Sequence, residues 1–148
     1  MKILVCTPLQ EAESKKIQEY FINDTVVISR RPTQEDIDQA DVIVGNPHLD
    51  LNLNQAHLQA ILLNSAGSDQ YIKGILNKNT KLTNASGSYG IAISEHVIGM
   101  MITFCKNLKT YALQMKEGNW HPSKQGKEIY HSRVCIVGYG DIGYEIAK

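Results

Sequence analysis

The chain has 148 residues, and its 15 Lys and Arg balance its 15 Asp and Glu to a formal net charge of zero. That length holds one ordinary domain, or one small domain with a piece of another. Charge balance without a run of either sign argues against a nucleic-acid or membrane partner held by bulk electrostatics.

The amino-terminal MKILVC offers only the short apolar run Ile3 to Cys6. A secretory h-region needs roughly 7–15 apolar residues and a membrane span about 20, so the segment reads as neither. Cys6, Cys105 and Cys135 sit among apolar neighbours without CxxC spacing. They read as free thiols of a reducing compartment, which points to the cytoplasm.

Short apolar runs then recur with helical text between them: KILVC at 2–6, TVVIS at 25–29, DVIVG at 41–45, AILLNS at 60–65 and KLT at 81–83. Their Val, Ile and Leu content suits strands buried on both faces. Between the first two, EAESKKIQEYF places Ala12 or Lys16, Ile17, Tyr20 and Phe21 at helical spacing. In TQEDIDQA, Thr33 caps a helix whose first turn is acidic, and SDQYIKGIL carries another short helix. This alternation predicts an α/β fold with a parallel, doubly wound, flavodoxin-like sheet over the first ninety residues.

From Ile91 to about Lys116 the texture changes to an uninterrupted helix, with Ser94, Val97, Ile98, Met101, Phe104, Cys105, Leu108, Tyr111, Ala112 and Met115 on one face. Ile93, Met100 and Ile102 widen the apolar surface, so the helix must be covered on more than one side. A central helix between two domains and a subunit interface both satisfy that requirement. KEGNWHPSKQGKEIYHS follows as a polar loop. Val134 to Val137 then reads as a buried strand before the final turn.

Three motifs bear on chemistry. Gly138-Tyr139-Gly140-Asp141-Ile142-Gly143 follows that strand and opens a helix, the context that a dinucleotide turn requires. There Gly138 permits the tight turn, Gly140 admits a pyrophosphate, and Gly143 allows close helix packing. Asp141 is the oddity, since its carboxylate would repel a diphosphate unless it turns aside to cap. The second motif is LLNSAGSDQY at 62–71. It leaves small residues and backbone N–H groups at the carboxyl edge of a parallel sheet, where such sheets bind ligands. Spacing alone favours an ordinary turn capped by Ser68 or Asp69 there. Asn46, Pro47 and His48, and Asn84 to Gly87, belong to the same edge.

The histidines form the third set. His48, His57, His96, His121 and His131 show neither HxxxH nor HxH spacing. His96 and Glu95 diverge as helical neighbours. No catalytic or metal site is therefore assigned within this chain.

Taken together, LLNSAGSDQY, LTNASGSYGIAISEHVIGMMI, GNW and VCIVGYGDIGYEIAK resemble the D-isomer-specific 2-hydroxyacid dehydrogenases in words, order and spacing. The resemblance covers the chain but only the first half or less of a family member. It implies that residues 1–90 are the front part of a substrate domain. Residues 91–148 would then be the start of a truncated NAD(P)-binding domain: a long helix and the first strand–turn–helix of a Rossmann fold.

By the same resemblance, Ser65, Ala66 and Gly67 hold the carboxylate of a small 2-hydroxy or 2-keto acid. Gly138, Tyr139, Gly140, Asp141, Ile142 and Gly143 meet the pyrophosphate of NAD or NADP, and the helix at 91–115 forms a homodimer. Tyr89 stands where many relatives have Asn. The family's Arg, Glu and His fall beyond Lys148, so the chain is expected to be a fragment inactive alone. The ribose-binding acid, about 20 residues past the turn, falls there too. The alternatives are a non-enzymatic module that dimerises or binds a small acid, and, more weakly, another GxGxxG fold such as a methyltransferase.

Overall fold

The computed structural model describes residues 1–72, 74–121 and 125–148, and the chain folds as two units, Met1–Ser86 and Gly87–Lys148.

The first unit is a five-stranded parallel sheet: β1 (Lys2–Val5), β2 (Thr25–Ile28), β3 (Val42–Val44), β4 (Ala60–Leu62) and β5 (Lys81–Thr83). The spatial order is β2-β1-β3-β4-β5 with every neighbour parallel, which is the flavodoxin-like winding. Each strand falls inside one of the apolar runs read from the sequence. β1 is buried on both faces, with Ile3, Leu4 and Val5 almost fully enclosed, while β3 and β4 enclose Ile43 and Ile61 on one face and leave Val42, Val44 and Ala60 half-buried and Leu62 exposed on the other. The edge strands β2 and β5 are only half covered, so full two-sided burial holds for β1 and not for the other strands.

Three helices connect these strands: α1 (Glu11–Tyr20), α2 (Gln34–Asp38) and α3 (Asp69–Ile72). Thr33 caps α2 as expected. Its side chain accepts from the Asp36 N–H, and the Asp36 carboxylate accepts from the Thr33 N–H at 2.7 Å. The Thr33 N–H, and after it the Thr33 hydroxyl at 2.9 Å, both donate to the Asp36 carboxylate and hold its carboxyl below the ordinary range. Helix α2 buries Ile37 against the sheet, and Tyr71 of α3 enters the core beside Leu4, Leu53, Leu58 and Ile61. Helix α1 differs from expectation: it buries no residue, and Tyr20 is 86% exposed. Its periodicity is real, but among the described residues that face is only partly covered: α1 lies against β2, with Ile17 half-buried.

The second unit contains α4 (Gly90–Cys105), α5 (Leu108–Lys116) and α6 (Asp141–Ala147). The uninterrupted helix expected over 91–116 is thus two helices. Asn107 takes the left-handed conformation at φ 55°, which ends the first and starts the second; Asn is among the few residues that adopt it readily. Cys105 O, released by the break, accepts the Lys127 N–H at 2.8 Å. Val134–Val137 joins no ladder among the described residues, and Val137 is 96% exposed. A strand is an intermolecular or interstrand structure before it is a local one: without a neighbour its N–H and C=O groups have nothing to pair with.

Candidate functional site

The turn between β4 and α3 is braced from two sides. Asn46, which follows β3, accepts the Asn64 N–H at its Oδ1 (3.1 Å) and donates from Nδ2 to Ser65 Oγ (2.9 Å). The Ser65 hydroxyl in turn donates to Gly67 O at 2.8 Å. From the β5 side, Asn84 Nδ2 donates to Ala66 O at 2.8 Å and the Ala85 N–H donates to Ser65 O at 2.9 Å. The carbonyls of three successive residues are therefore occupied from within the unit. No acceptor among the described residues takes the N–H groups of Ala66, Gly67 or Ser68.

The Asn46 loop is itself anchored. The buried Tyr71 hydroxyl donates to Pro47 O at 2.8 Å, and Pro47 is enclosed. Gly45, at φ +107°, turns the chain out of β3 at a point where a Cβ would stand 2.6 Å from Thr7 Oγ1. An open hollow of about 410 Å³, lined by Ser68, Ile72, Leu82, Thr83 and Asn84, adjoins the braced turn. The sequence motif placed Ser65, Ala66 and Gly67 at this edge. The bracing by Asn46 and Asn84 it did not reveal, because these partners are 18 or 19 residues away.

Other chemistry at this edge is muted. His48 Nδ1 lies 3.1 Å from Asp50 Oδ2, but both side chains are largely in water, where such a pair is weakly coupled. Burial, with a smaller contribution from Asp36, raises the Cys6 thiol to about 11, so it stays protonated at neutral pH. No group of three His, Cys, Asp or Glu suited to a metal occurs among the described residues. No helix among them is long and apolar enough to cross a membrane.

In the second unit, the glycine turn shows a different physical requirement at each position. Gly138 has φ +93°, which a side chain would strain. At Gly143 a Cβ would come within 2.1 Å of Gly138 O and 3.3 Å of Ile136 Cγ2, so α6 can close on the turn only without one. Gly140 has nothing within 4 Å of its Cβ position, leaving open backbone where a ligand can approach. Asp141 resolves the oddity of a carboxylate at this place. Its Oδ1 lies 2.7 Å from where a Gly90 Cβ would be, against the first residue of α4. A carboxylate there meets the positive end of a 16-residue helix. Tyr139 and Ile142 line the same turn, with Tyr139 edge-on to Tyr144 at 5.9 Å between ring centroids.

Helix α4 packs on α6 through a stripe from Gly90 and Ser94 to Val97 and Met101, and little of the rest is covered. Ile91, Ile98 and Ile102 flank the stripe on one side, and Ile93, Met100 and Phe104 on the other; all six are exposed, Phe104 to 80%. The face expected at 91–115 is therefore apolar and largely unburied within this chain.

Residues 98–148 match the family model described as D-isomer specific 2-hydroxyacid dehydrogenase, NAD binding domain. A D-3-phosphoglycerate dehydrogenase of Methanocaldococcus jannaschii is 25% identical over 155 residues, covering 100% of this chain and 30% of that protein. A hydroxypyruvate reductase of Thermotoga maritima is 29% identical over 72 residues, 48% of this chain and 24% of its own length. Among solved structures, a D-lactate dehydrogenase from Aquifex aeolicus, complexed with NAD and lactic acid, aligns with TM-score 0.77 and 19% identity over 99% of this chain and 47% of that one. A D-isomer specific 2-hydroxyacid dehydrogenase family protein from Aeromonas salmonicida aligns with TM-score 0.79 and 20% identity, over 99% of this chain and 48% of that one. The chain thus spans about a third of the curated relatives it matches end to end and about half of these solved chains.

Proposed function

We propose that the chain, whose residues 98–148 match the NAD-binding-domain model of the D-isomer-specific 2-hydroxyacid dehydrogenases, is part of a member of that family and supplies two binding elements of an NAD- or NADP-dependent oxidoreductase acting on a small 2-hydroxy or 2-keto acid. The observation that carries the reading is the glycine turn, which lies inside the family match and leaves Gly140 open while Gly143 and Gly138 close on each other. Gly138, Tyr139, Gly140, Asp141, Ile142 and Gly143 would hold the cofactor pyrophosphate through backbone. Asp141 fits that task because its carboxylate lies beside Gly90 at the start of α4. When bound, the nicotinamide supplies a hydride acceptor or donor.

The part of this chain's own residues is binding and orientation. Ser65, Ala66 and Gly67 would receive the substrate carboxylate on backbone N–H groups, which hold an anion without placing a second charge in the site. A fixed carboxylate orients the carbon that exchanges hydride, and such fixing is a large part of what an enzyme contributes to a two-partner reaction. By family resemblance, the Arg that polarises the keto group, the His that moves the proton and the Glu that tunes it belong to the remaining length of the relatives. Residues 1–90 and 91–148 would then be the front of the substrate domain and the opening of the nucleotide domain. The 148 residues by themselves would bind ligands without turnover. The free thiols support a reducing compartment, the cytoplasm.

A second feature of the reading is homodimerisation through residues 91–115, supported by the unburied isoleucines, methionine and phenylalanine of α4. A non-enzymatic dimerising or acid-binding module shares that feature and differs in having no use for nucleotide. Calorimetric titration with NAD and NADP separates the two: saturable binding that Gly140→Val abolishes, with circular dichroism unchanged, is expected of the dehydrogenase reading. Absence of any binding to the native chain would leave the module. Steady oxidation of NADH with pyruvate by the chain alone would overturn the assignment of catalysis to groups outside it.

A further inference from the structure

We infer that Asn84 and Asn46 are positioning residues that aim particular backbone N–H groups of the 65–68 turn at a carboxylate. The inference rests on the proposed reading of that turn as carboxylate-holding and adds which groups do the holding and what orients them. A trans peptide unit is planar, with its C=O and the N–H of the following residue pointing opposite ways. Whatever clamps a carbonyl therefore sets the direction of the next N–H.

The clamps are specific. Ala85 N–H on Ser65 O sets the Ala66 N–H, and Asn84 Nδ2 on Ala66 O sets the Gly67 N–H. Asn46, through the Ser65 hydroxyl on Gly67 O, sets the Ser68 N–H. Ser68 thereby joins the turn as a third donor, while Ser65 contributes a hydroxyl already committed at both ends. The side-chain amides are suited to the task because each can also fix itself. Asn46 Oδ1 holds the Asn64 N–H, and Asn84 Oδ1 accepts the Ser86 N–H at 3.3 Å. Ala at 84 would leave the turn with the same sequence but the Ala66 carbonyl unclamped, and Ala at 46 would leave the Ser65 hydroxyl that clamps Gly67 O without its own anchor. Asp in place of Asn84 would keep the acceptor and lose the donor.

Amide-resolved NMR of the 15N-labelled 148-residue chain, titrated with pyruvate, tests this directly. The native chain should show saturable shifts at the amides of Ala66, Gly67 and Ser68. Asn84→Ala and Asn84→Asp should weaken binding roughly three- to tenfold, as expected for one lost hydrogen bond, with the Gly67 response most reduced. Asn46→Ala should act most on Ser68. Ser65→Ala should also act most on Ser68, and the double variant should leave the Ser68 response no weaker than Ser65→Ala alone, since Asn46 reaches Gly67 O only through the Ser65 hydroxyl. Native-like affinities and native-like shifts at Gly67 and Ser68 in the variants overturn the inference while leaving the carboxylate reading intact. If the native chain itself does not respond to pyruvate, the carboxylate reading falls. The clamp is then judged on ligand-free spectra, where Asn84→Ala and Asn46→Ala must displace or broaden the Gly67 and Ser68 amides respectively, and unchanged resonances overturn it.

Discussion

The two units spend similar kinds of sequence very differently. In Met1–Ser86 the apolar runs meet one another across a sheet, and every nearly enclosed apolar side chain among the described residues, from Ile3 to Tyr71, belongs to it. In Gly87–Lys148 the apolar residues are as dense along α4 but most stay in water, and among the described residues only Gly90, Ser94 and Gly143 are buried. Periodicity tells how a segment would like to be covered. Whether it is covered depends on a partner, and in the second unit that partner is not among the described residues.

The difference between the two units is open to mutation. Ile43→Ala, deep in the sheet, should cost about 2–5 kcal/mol and abolish the cooperative denaturant transition of the first unit, while amide shifts in residues 90–115 remain. Loss of both sets of signals together would mean that the units fold as one. Gly143→Ala should dismantle the glycine turn, because its Cβ has nowhere to go. Nucleotide affinity measured by calorimetry should fall at least tenfold, a change of about 1.4 kcal/mol or more. The chevron of the first unit should not change.

Smaller effects follow. Phe104→Glu should shift the sedimenting species toward monomer if the α4 face is a subunit interface, and should leave urea stability of the first unit within about 0.5 kcal/mol. Thr33→Ala should cost about 1 kcal/mol through the lost cap. Its pH dependence follows from Asp36, whose carboxyl is held below its ordinary value of 3.8 by the Thr33 N–H, which the variant keeps, and by the Thr33 hydroxyl, which it loses. A lowered folded-state value stabilises above the unfolded one and is lost as pH falls through the folded one. The difference between native and Thr33→Ala should therefore be full near neutrality and shrink below about pH 3.8 in thermal melts. A difference that grows with acid would contradict the assigned cap.

Much of this was legible in the sequence, and the reasons are local. KILVC, DVIVG and AILL encode buried strands because each residue's burial is decided by its own run and its nearest neighbours in the sheet. Thr33 and Asp36 are three apart and cap without outside help. The glycine spacing at 138–143 encodes a contact between Gly138 and Gly143 within a single turn. What stayed hidden is non-local or depends on a neighbour. Asn46 and Asn84 were legible as residues of the same sheet edge, but the hydrogen bonds by which they reach the 64–67 turn from other loops were not. CKNLKT contains no Gly or Pro, and only the tolerance of Asn for left-handed backbone hints at the break. Tyr20 and Val137 obey the right periodicities and are nevertheless exposed.

That break at Asn107 has a consequence for what can coexist. In an uninterrupted helix Cys105 O would accept the N–H of Lys109, yet here it takes the N–H of Lys127. One oxygen thus adjudicates between two architectures: a straight rod with the downstream segment cut loose, or a jointed rod with that segment moored. Gly126 sits at the mooring, where a Cβ would come within 2.9 Å of the same oxygen. The joint and its tether are a single decision made twice in the sequence, once by an asparagine and once, nineteen residues later, by a glycine.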